Sequence, residues 1–113
     1  METTRQQKVA RQIQKDISDI FRKEAAGLVR GTMVSVTVVR MSPDLGFAKI
    51  YLSVFPFERH AEILNALARE NRMVRHALGT RIKHQLRQVP EIAFFLDDSL
   101  EYIENIENLL NTN

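Results

Sequence analysis

Eight side chains in this sequence have the type and spacing to grip a polyanion. Around a helix, at 100° per residue, Lys8, Arg11, Lys15 and Arg22 fall within about 60° of one another. The same arithmetic gathers Arg72, His76, Lys83 and Arg87 on one side of a second helix, with Thr80 beside them. Stripes of this kind suit phosphate, because each cation that meets a phosphate releases condensed counterions and so drives binding. Ordinary solvated helix faces are the plainer alternative.

The distribution of charge favours the polyanion. The formal net charge is only +2, but residues 69–90 hold six basic side chains against Glu70 alone. Residues 91–113 hold six acidic side chains and no basic one. Such asymmetry along a chain points to a charged partner more strongly than the overall balance does.

Other chemistries find less support. Cysteine is absent, which excludes disulfides, thiolate metal sites and thiol nucleophiles. His60, His76 and His84 form no HExxH arrangement and have no acid at ligand spacing. No P-loop, GxGxxG or GxSxG motif occurs among the four glycines. Asp97, Asp98 and Glu101 could hold a hard cation as nuclease carboxylates do, although Asp98 and Glu101 also have the spacing of a capping box. Tyr51, next to Lys49 and Ser53 on one side of an expected strand, is the single candidate for stacking on a base. No metal site and no catalytic residue is expected.

The elements that must position these residues follow from apolar spacing. Val9, Ile13, Ile17, Ile20 and Phe21 recur at three- and four-residue intervals and predict a helix over about 4–26, ended by Gly27 and Gly31. The β-branched runs at 33–41 and 48–55 predict strands, joined as a hairpin through Ser42-Pro43-Asp44-Leu45-Gly46. Ile63, Ala66 and Leu67 predict a short helix over 59–70. Val74, Leu78, Ile82, Leu86 and Val89 predict another, running from Asn71 until Pro90 stops it. A third strand is expected at 92–96. A last acidic amphipathic helix is expected over 100–113, with Tyr102, Ile103, Ile106, Leu109 and Leu110 on one face. At 113 residues, 44% hydrophobic and 27% charged, the chain reads as a single α+β domain spanning 1–113, with a three-stranded sheet and helices on one of its faces. No apolar run approaches a membrane span and no signal peptide opens the chain, so a cytoplasmic protein is expected.

The hairpin residues Val36-Thr37-Val38, Met41-Ser42-Pro43-Asp44-Leu45 and Ala48-Lys49-Ile50-Tyr51-Leu52-Ser53 resemble those of the ribosome-binding factor A family. So does Val89-Pro90-Glu91-Ile92-Ala93-Phe94-Phe95 followed by Asp97 and Ser99, and so does the stretch from Lys8-Val9-Ala10 to Ile17. The resemblance covers nearly the whole chain. It implies a type II KH-like fold, ordered α-β-β-α-α-β with the C-terminal helix appended. It also implies a non-catalytic assembly factor that binds the small (30S) ribosomal subunit and its 16S ribosomal RNA and assists late maturation and processing, including under cold conditions. Ribosomal proteins and assembly GTPases are further candidate partners, a monomer is expected, and no cofactor belongs to the family.

KH domains clamp RNA with a GxxG loop between two helices, and in this family a small-x-Gly kink usually replaces it. Glu70-Asn71-Arg72 stands there in this chain, with neither the small residue nor the glycine. The basic stripes are therefore the expected RNA contacts, and Asn71, which tolerates a left-handed backbone, is the expected kink. Two rival readings stay open. In one, the acidic last helix docks on a ribosomal protein. In the other, Asp97, Asp98 and Glu101 serve a metal-dependent nuclease.

Overall fold

The computed structural model describes residues 2–97. Six main elements follow in the expected α-β-β-α-α-β order: α1 (Thr4–Arg22), β1 (Met33–Met41), β2 (Phe47–Phe55), α2 (His60–Arg69), α3 (Asn71–Ile82) and β3 (Glu91–Leu96). The helix expected over 100–113, with Asp98 and Glu101 at its start, lies outside the described residues.

The sheet is mixed, with β2 in the middle. β1 runs antiparallel to β2, from Met33 opposite Phe55 to Met41 opposite Ala48. β3 runs parallel to β2, from Phe47 beside Glu91 to Leu52 beside Leu96. A parallel neighbour cannot be reached through a tight turn, so the chain crosses over through α2 and α3. In the hairpin turn, Asp44 accepts from the Ser42 hydroxyl and from Gly46 N–H (2.7 and 2.9 Å), while Leu45 takes the left-handed conformation at φ 61°.

One face of the sheet carries the core. Strict alternation along β1 would bury Val34, Val36 and Val38. A bulge between Val36 and Val38 shifts the register, so that Val36, Val39 and Met41 are buried and Val38 is left at the surface. With Ala48, Ile50, Leu52 and Val54 of β2 they meet Ile13, Ile17 and Ile20 of α1, Ile63 and Leu67 of α2, and Val74, Leu78 and Ile82 of α3. α1 is fixed at its start by a capping box between Thr3 and Gln6. The buried Gln6 amide also donates to Met41 C=O across to β1 at 3.0 Å.

Three expected boundaries move. α1 ends at Arg22 rather than near 26: just past it Ala25 N–H closes onto Ile20 C=O, five residues back, in place of a helical i→i−4 bond. α2 begins at His60, after a short 3-10 turn at Phe57–Arg59. α3 ends at Ile82 and does not run on to Val89, as the apolar spacing predicted. Gln85 and Leu86 N–H both close onto Ile82 C=O, and the chain folds back beside α3 toward β3. Leu86 is buried from this non-helical return, so its contribution to the core counterfeits one more helical turn.

Asn71 does not form a left-handed kink. Among the described residues Leu45 is the one non-glycine with positive φ. The break between α2 and α3 falls at Glu70, at φ −103° and ψ 22°, a conformation open to ordinary residues. Asn71 is the first residue of α3, and its side-chain amide donates to Ile92 C=O of β3 at 3.0 Å. Asn71→Ala is expected to cost about 1 kcal/mol through that hydrogen bond. Asn71→Gly should cost up to about 1 kcal/mol more through lost helix propensity. Urea denaturation of both variants checks this; a glycine variant as stable as the parent would restore the left-handed kink.

Candidate nucleic-acid interface

α3 carries Arg72, His76, Thr80 and Lys83 along its exposed side, with Lys83 as the C-terminal cap residue. The buried Val74, Leu78 and Ile82 hold the opposite side on the core. Arg72 and Lys83 are separated by a rise of about 16 Å.

The ridge borders an open groove of about 1020 Å³. Its far wall is the chain returning from α3, with Gln88 and Val89, and its end is closed by Arg69 from the last turn of α2. Gly79 permits this arrangement, since a Cβ there would stand 2.8 Å from Val89 Cγ2. Arg75 ties the return segment down. Its guanidinium donates to the carbonyls of Pro90 and Val89 at 3.0 and 2.7 Å. Carbonyl partners leave its charge uncompensated, so Arg75 adds to the positive potential of the groove.

Arg87 departs from the expectation. It is exposed, but it lies beyond the end of α3 and not on its ridge. It borders a neighbouring cavity of about 710 Å³ with Arg5, Asp44 and Glu91, where the charges are of mixed sign. The groove therefore gathers Arg72, His76 and Lys83 from the expected set and adds Arg69 and Arg75. Those two were missed because Arg69 joins Arg72 only across the break at Glu70, and Arg75 lies well off the ridge on the helical wheel. At the break itself neither glycine nor a left-handed residue opens the backbone.

On α1, Lys8, Arg11, Lys15 and Arg22 are all exposed, on the side away from the core. Arg22 is paired with Asp19 at 3.0 Å. Among the described residues Lys8, Arg11 and Lys15 enter no ion pair, so their charges are the freer of the four.

Between the two helices Arg81 acts as a clasp. It donates to Asp19 at 2.6 Å and to both carboxylate oxygens of Glu24 at 2.6 and 2.7 Å. The Asp19 carboxyl is held below its ordinary range by Arg22 first, then by Lys23 and Arg81. Glu24 is held below its range chiefly by Arg81. Lowered folded pKa values give stability that is present above the ordinary values of 3.8 and 4.5 and is lost as pH falls through the lower folded ones. Burial pushes Asp16 the other way, upward, with Gln12 opposing. Arg81→Gln should therefore flatten the fall in stability between about pH 5 and pH 2.5. Denaturant midpoints across that interval measure it, and an unchanged profile would remove Arg81 from this role.

Among the described residues no three His, Asp or Glu side chains gather as a metal cluster. His60 is tied to Phe57 C=O and stacks on the Phe57 ring. Asp97 accepts from the Thr37 hydroxyl, while Asp98 and Glu101 lie beyond the described chain. Among the described residues no helix is long and apolar enough to cross a membrane.

Comparison with known proteins gives a consistent outcome. Residues 5–110 match the family model for ribosome-binding factor A. Ribosome-binding factor A of Cytophaga hutchinsonii is 46% identical over 111 residues, covering 98% of this chain and 84% of that protein. In fold the chain is similar to the crystal structure of ribosome-binding factor A from Thermus thermophilus, with a TM-score of 0.67 and 22% identity over 80% of this chain and 94% of the other. It is also similar to a homology model of the T. thermophilus factor as fitted into a cryo-electron-microscopy map of its complex with the 30S subunit. There the TM-score is 0.59 and the identity 22%, over 87% of this chain and 97% of the other.

Proposed function

We propose, from the premise that this chain belongs to the ribosome-binding factor A family, that it docks on 16S ribosomal RNA of the small (30S) subunit and assists late maturation and processing of that RNA. The observation that carries the reading is the groove beside α3, where Arg69, Arg72, Arg75, His76 and Lys83 surround a space open to solvent. Cations on a rigid helix bind a phosphate chain without sequence preference, and position it. Position is what an assembly factor needs to supply, since holding one RNA conformation shifts the population toward it by the difference in affinity. The α1 ridge, with Lys8, Arg11 and Lys15 free of ion pairs among the described residues, supplies a second line of contact.

Co-sedimentation of the purified protein with small subunits, large subunits and bare 16S RNA tests the reading. Retention on small subunits and on 16S RNA, weakened by salt and absent from large subunits, is the expected result. Retention on neither the small subunit nor its RNA would refute it.

A further inference from the structure

All three helices pack on one face of the sheet, and among the described residues no helix covers the other. That bare face mixes exposed apolar side chains with Ser35, Ser53, Arg40 and Lys49. Met33 is 71% exposed, Phe55 69%, Phe95 39% and Val38 36%. Strand register sets them with Tyr51 in two groups on either side of the Ser35–Ser53 pair: Met33 lies opposite Phe55, and Val38 opposite Tyr51, which lies beside Phe95 with the rings 5.5 Å apart. Large apolar side chains exposed this closely together mark a place where something docks.

Sixteen residues follow Asp97 in the sequence, and they carry the matching surface. Tyr102, Ile103, Ile106, Leu109 and Leu110 would share one side of a helix, with Glu101, Glu104 and Glu107 on the other. We propose that this C-terminal segment, residues 98–113, lies across the bare face of the sheet with its apolar side down.

Length and attachment both fit. From 102 to 110 a helix rises about 12 Å, and β2 from Tyr51 to Phe55 runs about 13 Å. Asp97 N–H donates to Leu52 C=O at 2.7 Å, so the chain leaves the sheet between those two residues. Residues 98–101 can reach about 13 Å when extended, enough to turn back over the face. So short a tether gives an effective concentration in the millimolar range, which a second copy or a free peptide does not match. With the apolar side down the glutamates point outward. That side of the molecule then repels phosphate, and RNA is confined to the basic helices. The segment so placed orients the protein on its partner.

Because the chain has no cysteine, a nitroxide can be placed singly on the full-length protein. From Lys49→Cys, on the bare face, it should strongly broaden the amide resonances of 102–110 in dilute solution. From Lys8→Cys, on the helical side, it should broaden them much less. Ile106→Lys with Leu109→Lys should remove the effect from position 49 while leaving the core resonances in place. The proposal is overturned if position 49 gives no broadening, or if position 8 gives more, which would seat the segment on the basic ridges. It is overturned equally if broadening arises only on mixing labelled with isotope-enriched protein, which would make a second copy the occupant. It also fails if the lysine pair changes nothing, or if a short single-stranded RNA displaces the segment and shifts Tyr51 and Phe95.

Discussion

Arg72→Glu combined with Lys83→Glu is expected to weaken binding to small subunits by about 100-fold and to leave the fold intact. Each side chain is exposed on the groove-facing side of α3. A charge-assisted contact is worth about 1.5–3 kcal/mol, so losing two comes to about 3 kcal/mol at the lower value, or two factors of ten in affinity. Exposed positions remote from cores usually change stability by less than about 0.5 kcal/mol. The helix dipole splits even that, since glutamate suits the first turn of α3 at 72 and opposes the last at 83. Circular dichroism and thermal melting should therefore match the parent while binding is lost. The corresponding pair on α1, Lys8→Glu with Lys15→Glu, should behave alike if both helices touch RNA, and should do little if α3 docks alone.

Leu78→Ala is expected to produce the opposite pattern, a large loss of stability with binding weakened only through unfolding. Leu78 is fully buried on α3, in the core cluster that α3 shares with α1 and the sheet. Truncation of such a residue costs about 2–5 kcal/mol, the spread depending on how far the cavity collapses. Against a total of about 5–15 kcal/mol for a small domain, that is a large share. The melting temperature should fall by about 10–20 °C. Arg87→Ala, on an exposed side chain beyond the helix, is the natural control and should shift it by less than about 3 °C. A small shift for Leu78→Ala would mean that α3 is not seated on the core as described, and the ridge it presents would lose its support.

The layers of this fold were legible because burial imposes a period. The isoleucines of α1 and the alternation of Ala48, Ile50, Leu52 and Val54 in β2 each fit one element type. The parallel pairing of β3 was not legible, since a run such as Ile92 to Leu96 does not state its direction. The end of α3 misled for a physical reason. Leu86 reaches the core from a turn, and a side chain buried at the right interval looks helical whatever its backbone does. That one boundary error carried Arg87 onto the ridge. The reading of Asn71 failed similarly: its residue type permits a left-handed backbone, but its amide is spent on Ile92 of β3, a tertiary bond that no local pattern reveals. Arg81 escaped notice because it lies on the buried side of α3, where its carboxylate partners come from α1 and the chain beyond it.

The measurement that bears most directly on RNA docking is the salt dependence of affinity for purified small subunits, with single Arg72→Gln, Lys83→Gln and Lys15→Gln variants beside the parent. Glutamine removes the charge without adding repulsion. If each residue meets one phosphate, log affinity against log salt should become shallower by about 0.7–0.9 for each of Arg72 and Lys83, and by the same amount for Lys15 if α1 also touches RNA. Slopes for Arg72→Gln and Lys83→Gln that equal the parent's, at unchanged affinity, would contradict the account and place the contact with the ribosome on some other surface.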